Sequence, residues 1–285
     1  MAERPEIRPL SSGVGAEIVD FDFARNPHEG VGEIADWHAA LDTHQLLLFR
    51  NASLDAETQV AFLETLGPAL IENEKGRAYQ FVSNTHADGI LGDERFAYHS
   101  DHAFMDDPIE VISLFGLEIP ESGTQTRFVN GVRAAAALPD ELRERISELR
   151  ARHIIDPGAE SSGVAVRSPR RSDDLPHAYH PILWRHPRTG EAILYVAEQQ
   201  TDHVESLDDD EGRALIEALF EHLYQPRFSY AHEWRAGDLI IFDNLALQHD
   251  RGAILPGTSR TLRRVTVGGT PVYQYFRAHS KWGLD

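Results

Sequence analysis

Residues 96–104 read Phe-Ala-Tyr-His-Ser-Asp-His-Ala-Phe, and this stretch carries the first clue to the fold. It places the imidazole of His99 two residues before the carboxylate of Asp101, and a further imidazole, His249, lies far downstream. Two imidazoles and one carboxylate are the ligand set that holds a non-haem Fe(II) on one face and leaves three positions open. The close pair fits a strand and the turn after it, so His249 must come from another strand of the same β structure. We therefore predict a metal site formed by His99, Asp101 and His249.

The spacing of this triplet is not specific by itself. The chain is acidic and has 15 histidines, and a second triplet of the same kind occurs at His86-Ala-Asp88. Because Gly89 follows that second triplet, we interpret it as a turn. We do not interpret His102 as a ligand. It adjoins Asp101, and neighbouring side chains on an extended segment point to opposite sides. The segments downstream of His249 distinguish the first triplet from the second.

The segment after His249 predicts a loop followed by a strand. Pro256 and Gly257 close the loop, and the alternating residues that follow are typical of a strand. Arg260 and Arg264 are four residues apart, so they share one face of that strand. Two guanidinium groups on the wall of a ferrous site form a fork suited to carboxylates.

Several motifs in register along the chain give it a resemblance to a known family. They are residues 7–18, residues 44–50, the pair His99 and Asp101, residues 122–126, Gly237-Asp238, Asp243-Asn244, His249 and Arg260. In order and spacing they resemble the taurine dioxygenase and aryloxyalkanoate dioxygenase family of Fe(II)- and 2-oxoglutarate-dependent oxygenases. The resemblance covers almost the whole length of the chain.

The resemblance implies Fe(II) as the metal, 2-oxoglutarate as cosubstrate and O₂ as oxidant. His99, Asp101 and His249 would ligate the iron, leaving two positions for the 2-oxo acid and one for O₂. Arg260 and Thr126 would bind the distal carboxylate of 2-oxoglutarate, and Arg264 would reach a substrate anion. Because the carboxylate of Asp101 is present, hydroxylation is favoured over halogenation, although desaturation and ring closure would use the same residues.

The substrate is open at this stage. The charged stretches 71–76 and 93–95 are arranged differently from the polar pair of taurine-using members, so we do not expect taurine. A small organic acid paired with Arg264 is the first choice. A larger natural-product or amino-acid-derived substrate is the alternative, in a pocket lined by aromatic side chains that include Tyr98 and Phe104.

Two other classes of protein remain as alternatives. A jelly-roll metal protein without O₂ chemistry, such as a cupin-like isomerase or a binding protein, would not need the pair formed by Arg260 and Thr126. A catalytically silent homologue or iron-binding regulator would normally have lost part of the metal triad, which is intact here.

The composition narrows the classes of molecule that could be binding partners. The net charge of −19 disfavours nucleic acid and anionic membranes as partners, because both would repel the protein. The chain has no cysteine, and we find no run of about 18 apolar residues and no apolar N-terminal segment. We therefore expect a cytoplasmic enzyme that acts on a small molecule, with a homodimer or homotetramer suggested by the family.

The periodicity predicts one domain over residues 1–285, mainly β with flanking helices. We expect a double-stranded β-helix, that is, a jelly roll or cupin-like barrel. Strand-like runs occupy residues 45–49, 111–117, 192–196, 239–242 and 263–267. Helices are predicted to begin at Ser53, at Pro139 and at Asp208, the first ending at Gly67. The stretch 156–180 has little periodicity and is predicted to form a loop over the active site.

Overall fold

The computed structural model describes residues 5–23, 34–73, 75–90, 92–121, 125–155 and 175–278. Within these ranges the protein is mainly β, with helices packed outside the sheets, as predicted. The strands are β1 Glu6–Pro9, β2 Ala16–Val19, β3 Leu46–Phe49, β4 Gln80–Ser83, β5 Gly89–Ile90, β6 Phe96–His99, β7 Val111–Glu118, β8 Gln125–Asn130, β9 Arg150–Ile154, β10 His177–Pro181, β11 Leu183–Arg185, β12 Ala192–Leu194, β13 Thr201–Val204, β14 Ser229–Glu233, β15 Leu239–Asp243, β16 Leu247–Arg251 and β17 Thr261–Val267. The α-helices are α1 Ile34–His44, α2 Ala56–Leu63, α3 Gly131–Ala136, α4 Asp140–Ile146, α5 Asp209–Leu223 and α6 Val272–Ala278.

Two sheets form the centre of the molecule. The large sheet has eight strands in the order β1-β2-β3-β15-β7-β17-β4-β5, and the four-stranded sheet has the order β14-β8-β16-β6. Neighbours in both sheets are antiparallel except β2 with β3 and β4 with β5. Apart from β1-β2-β3 and β4-β5, the strands that lie side by side in these sheets are not consecutive in the chain, as in the predicted jelly roll.

The alternation of side chains along each strand separates an inner from an outer core. In β3, Leu46 and Leu48 join an apolar cluster between the two sheets, to which Phe128 of the four-stranded sheet also belongs. Leu47 and Phe49 point the other way and pack against α1 and α2. Successive side chains of a strand point to opposite faces of the sheet. Both faces of the large sheet are apolar here, because one is covered by helices and the other by the four-stranded sheet.

The outer face of the four-stranded sheet is covered by α3, α4 and α5. Val129 of β8 packs there with Leu215 and Leu219 of α5 and with Ile146 of α4. The face turned towards the large sheet is the one that carries Phe128 and His249, whose rings are 6.3 Å apart. The metal-site residues discussed below lie on this inner face.

Two helix starts agree with the sequence, and one differs. Pro139 precedes α4, and the Asp208 side chain caps α5. The cap of α2 is Asp55 and not the predicted Ser53, because the Asp55 carboxylate accepts a 2.8 Å hydrogen bond from the backbone N–H of Thr58. The chain leaves this helical segment at Gly67, where φ is 143°.

The predicted active-site loop is described only at its end. Residues 156–174 lie outside the described residues, and residues 177–180 belong to β10, which pairs with β9. The end of the stretch is therefore part of a sheet, and an active-site loop within residues 156–180 stays a prediction. Across the described parts of the chain, no helix has the length and apolar character needed to cross a membrane.

Candidate metal centre and cosubstrate pocket

The structure brings together the three residues predicted to bind a metal. His99 ends β6 and lies directly opposite His249 of β16 in the register of the four-stranded sheet. Oδ1 of Asp101 lies 3.2 Å from Nε2 of His99 and 3.8 Å from Nε2 of His249. One ligand atom from each residue lies within 4.8 Å of the other two. Three donors converging on one point in this way fit a single ion with open positions on its other side.

The two histidines are oriented by different means. Nδ1 of His99 lies 2.8 Å from the carbonyl oxygen of Ala97, which leaves Nε2 free for a metal. Nδ1 of His249 is buried and has no hydrogen-bond partner among the described residues. Its ring is instead packed edge-on against Phe242, with centroids 5.1 Å apart. Burial, together with neighbouring His99, lowers the pKa of His249 to about 3, so the imidazole is neutral, as metal ligation requires.

The third ligand, Asp101, is ionised by its surroundings. Burial alone would raise the pKa of its carboxyl, but Arg264 and the two histidines hold that pKa well below its usual value. Nη2 of Arg264 donates a 2.7 Å hydrogen bond to Oδ2, the oxygen that is not turned towards the histidines. Asp101 is therefore a fixed, charged ligand at neutral pH.

Two amide side chains hold the backbone of the metal-binding turn, and sequence reasoning missed both roles. Asn244 accepts a hydrogen bond from the N–H of Asp101 and donates one to its carbonyl, at 2.9 and 3.0 Å. Gln200 does the same for Ser100, at 3.2 and 2.9 Å. In the sequence, Asn244 stands out only as part of the Asp243-Asn244 motif, and no local pattern marks Gln200, because its partner is 100 residues away.

Arg264 lies beside the metal site, but its charge is already paired. Its Nη1 donates to Glu72 at 2.5 Å and to Gln80 at 3.1 Å, and its Nη2 donates to Asp101. Glu72 also accepts a 2.7 Å hydrogen bond from Thr266. Burial would raise the pKa of Glu72, but Arg264 and His102 lower it overall. The sequence placed Glu72 in a charged stretch of no assigned role, and only the tertiary contact reveals it as the partner of Arg264.

Thr126 and Arg260, the pair predicted to bind the cosubstrate, also meet. Nη2 of Arg260 donates to Oγ1 of Thr126 at 3.2 Å, and Nε1 of Trp234 donates to the same oxygen at 2.9 Å. A hydroxyl accepts two hydrogen bonds and donates one, so Thr126 retains a donor for an incoming group.

The Arg260 side chain carries a buried charge that no described carboxylate neutralises. The residue is 2% exposed, and its Nε has no hydrogen-bond partner among the described residues. Burial, with a smaller effect of Arg251, lowers the pKa of Arg260 to about 9. A buried cation with unused donors is the environment expected of an anion-binding site before its ligand arrives.

The two predicted aromatic pocket residues lie in different places. Tyr98 immediately precedes His99 on β6 and so points to the opposite face, where its ring stacks on Tyr224 at 4.6 Å. The structure therefore does not bring Tyr98 to the metal site. Phe104 follows the metal-binding turn, but it is 2% exposed and packs against Tyr275, with ring centroids 5.6 Å apart.

The second triplet, His86 to Asp88, forms the predicted turn. Nδ1 of His86 accepts a 3.0 Å hydrogen bond from the N–H of Asp88, and the ring lies 4.0 Å from that of Phe81. His86 is not part of the group of metal-ligating side chains found among the described residues.

Two facing sheets with a histidine–carboxylate–histidine site on the inner wall define a jelly-roll metalloenzyme. Residues 6–266 match the model of the taurine catabolism dioxygenase TauD, TfdA family. The chain belongs to this family, and the resemblance noted in the sequence is confirmed.

Individual relatives agree with this assignment. The chain is 28% identical over 279 residues to the alpha-ketoglutarate-dependent 2,4-dichlorophenoxyacetate dioxygenase of Cupriavidus pinatubonensis, covering 90% of this chain and 96% of that one. It is 27% identical over 279 residues to pentalenolactone F synthase of Streptomyces avermitilis, covering 89% and 90%. Among solved structures, AAD-2 in complex with Mn(II) and N-oxalylglycine superposes with a TM-score of 0.78 at 26% identity, covering 94% of this chain and 98% of that one.

Proposed function

We propose that this protein is an Fe(II)- and 2-oxoglutarate-dependent dioxygenase that couples decarboxylation of 2-oxoglutarate to hydroxylation, or a related C–H oxidation, of a small organic acid. The observation that carries the proposal is the buried Arg260, whose Nε has no hydrogen-bond partner among the described residues. Arg260 contacts Thr126, which lies on the same face of the four-stranded sheet as His249. A metal protein without a dicarboxylate ligand has no need for this costly arrangement.

The donor set fits iron. His99, Asp101 and His249 would hold Fe(II) through two neutral imidazoles and one carboxylate, which is the set typical of non-haem iron oxygenases. When bound, iron together with 2-oxoglutarate and O₂ supplies the oxidising chemistry that breaks the substrate C–H bond. The chain itself binds and orients the reactants and excludes water from them.

Arg260 and Thr126 provide the binding energy for the distal carboxylate of 2-oxoglutarate. The guanidinium offers charge-assisted hydrogen bonds, and the Thr126 hydroxyl contributes its remaining proton. Neutralising a buried cation adds to this preference for a dianion. A monocarboxylic 2-oxo acid would leave Arg260 unpaired, which explains how the site selects its cosubstrate.

For Arg264 the contacts support a different role from the predicted one. Its guanidinium is occupied by Glu72 and by Oδ2 of Asp101, so we assign it to the orientation of the metal-binding carboxylate. Groups that hydrogen-bond to metal ligands fix their direction and adjust their basicity. A substrate anion at this position would have to displace one of two carboxylates from Arg264.

The substrate class rests on the relatives and on charge. The relative from Cupriavidus pinatubonensis is named for an aryloxyacetate, a small anion, and supports the organic-acid assignment. The occupied Arg264 favours the second candidate, a larger and less charged natural-product substrate, as does the likeness to pentalenolactone F synthase. The net charge of −19 supports the prediction that neither nucleic acid nor an anionic membrane is a partner.

The proposal is tested by anaerobic titration of the protein with Fe(II) and then with 2-oxoglutarate, followed by visible absorption. O₂ uptake is then measured against a panel of aryloxy acids, sulfate esters and lactones. We expect a new absorption band that requires both additions, and 2-oxoglutarate-dependent O₂ uptake with at least one substrate class. Metal binding with no response to 2-oxoglutarate would instead indicate the non-oxygenase alternative. Size-exclusion chromatography decides the predicted dimer or tetramer.

A further inference from the structure

Arg251 lies on the same face of the four-stranded sheet as the metal site. It follows His249 by two residues on β16, so the two side chains point to the same side of the strand. In the register with β8 it lies directly opposite Thr126. Side chains of directly opposed residues are neighbours on one face of an antiparallel pair. Arg251 therefore approaches, from the neighbouring strand, the hydroxyl that Arg260 contacts.

The Arg251 guanidinium is only partly used by the protein. Its Nη2 donates to the carbonyl oxygens of Gly92 and Glu94 at 2.7 and 2.6 Å, and the group lies 5.0 Å from the centre of the Phe96 ring. Its Nε and Nη1 are buried and have no hydrogen-bond partner among the described residues. One guanidinium nitrogen, Nη2, therefore anchors the 92–94 segment, and the other two, Nε and Nη1, remain unused.

The two arginines bring two positive charges into one buried region. Both side chains are buried, Arg251 with 6% and Arg260 with 2% of its surface exposed. Neither guanidinium is within ion-pair distance of a carboxylate belonging to the described residues. Like charges buried together are unfavourable until an anion lies between them.

We propose that Arg251 is a second cosubstrate-binding arginine, which donates from one of its two unused nitrogens to the same distal carboxylate that Arg260 and Thr126 bind. The proposal rests on the proposed 2-oxoglutarate dependence and assigns a further residue to it. A carboxylate has about four acceptor sites on its two oxygens, enough for donors from both guanidinium groups and the Thr126 hydroxyl. Only a 2-oxo acid with a second carboxylate satisfies all of them.

The test compares binding of 2-oxoglutarate with binding of 2-oxopentanoate, which has a methyl group in place of the distal carboxylate. Dissociation constants are measured by calorimetry on the Mn(II)-loaded protein under argon, so that no turnover occurs. For Arg251→Gln we expect the dissociation constant of 2-oxoglutarate to rise on the order of 10- to 100-fold, with that of 2-oxopentanoate nearly unchanged. Arg251→Lys, which keeps a charge but loses the planar guanidinium, should show a smaller loss with the same selectivity.

Arg235→Gln, at an exposed arginine beside Trp234, is the matched control and should change neither constant. An unchanged affinity for 2-oxoglutarate in Arg251→Gln would overturn the proposal. So would an equal loss for both acids in the two Arg251 variants, since that would mean damage to the metal centre or to the 92–94 segment. The proposed cosubstrate is checked separately with Arg260→Gln: if neither that variant nor the wild type distinguishes the two acids, the 2-oxoglutarate dependence itself fails.

Discussion

Nη2 of Arg264 donates a 2.7 Å hydrogen bond to Oδ2 of Asp101, while Oδ1 of the same carboxylate faces His99 and His249. The two oxygens of Asp101 are thus divided between an arginine and the candidate metal site. On its other side Arg264 is held by Glu72, which is itself buried. Glu72, Arg264 and Asp101 therefore form a chain of three charged groups that links the large sheet to the metal-binding turn.

Replacing Arg264 by Leu should weaken metal binding as well as catalysis. Without the guanidinium, Asp101 is free to rotate and Glu72 is left as a buried unpaired charge. We expect the dissociation constant for Fe(II) to rise about 10- to 100-fold, with coupled and substrate-free decarboxylation of 2-oxoglutarate falling together. Fe(II) titration and succinate formation with and without substrate measure these effects. If substrate affinity alone fell while substrate-free turnover stayed normal, Arg264 would be a substrate ligand as the sequence predicted.

Glu72→Gln should reproduce part of this effect from a residue that does not touch the metal site directly. The amide keeps a hydrogen-bond acceptor for Arg264 but removes the charge that balances it, so Arg264 is drawn more strongly to Asp101. Because Arg264 then competes more strongly with the metal for the Asp101 carboxylate, we expect metal affinity to fall by less than about 10-fold, well below the loss in Arg264→Leu. Arg77→Leu, at a partly exposed arginine that pairs with Asp88, is the control. Equal losses in Glu72→Gln and the control would show that Glu72 has no specific part.

Alanine at His99, Asp101 or His249 should abolish turnover and weaken metal binding, because each removes one of three ligands. The far-ultraviolet circular dichroism spectrum should remain that of the wild type. His86→Ala is the matched control, since His86 lies in a turn of the same residue pattern away from the site. A fully active His249→Ala variant would refute the metal site.

Arg260→Ala should raise the apparent KM for 2-oxoglutarate on the order of 100-fold, because a charge-assisted contact worth about 2–3 kcal/mol is lost. Thr126→Ala should raise it less, since it removes one neutral donor. Steady-state O₂ uptake at varied 2-oxoglutarate gives both values. Wild-type dependence on 2-oxoglutarate in both variants would mean that another arginine or another cosubstrate is used.

Arg260 should lower the free energy of unfolding of the ligand-free protein. Burial lowers the pKa of Arg260 to about 9, so the native state holds this proton less tightly than the unfolded chain does. The penalty is complete below about pH 9 and declines as the pH rises towards the pKa of an unfolded arginine. Arg260→Met should therefore raise the free energy of unfolding without ligand at pH 7 by about 1–3 kcal/mol, while removing the stabilisation given by 2-oxoglutarate with Mn(II). Thermal unfolding with and without these ligands is the measurement, and a lower melting temperature in the variant without ligand would contradict the argument.

Some features follow from the sequence alone because they depend on local pattern. The run Leu239–Phe242 is apolar at every position and predicts a strand covered on both faces, and the structure has β15 there. Asp208 and the acids after it predict the start of α5. The alternation of strand side chains also excludes Tyr98 from the metal face, since Tyr98 adjoins His99 in the sequence.

The spacing of His99 and Asp101 was not specific by itself, and the resemblance carried by several motifs in register nominated the metal and cosubstrate residues. Whether each of the two arginines has a carboxylate partner was decided by the tertiary structure. Arg260 and Arg264 look alike in the sequence, four residues apart on one strand. Glu72, 192 residues from Arg264, pairs that arginine, while no described carboxylate pairs Arg260. The energy of a buried charge depends on its neighbours in space, and the sequence order does not contain them.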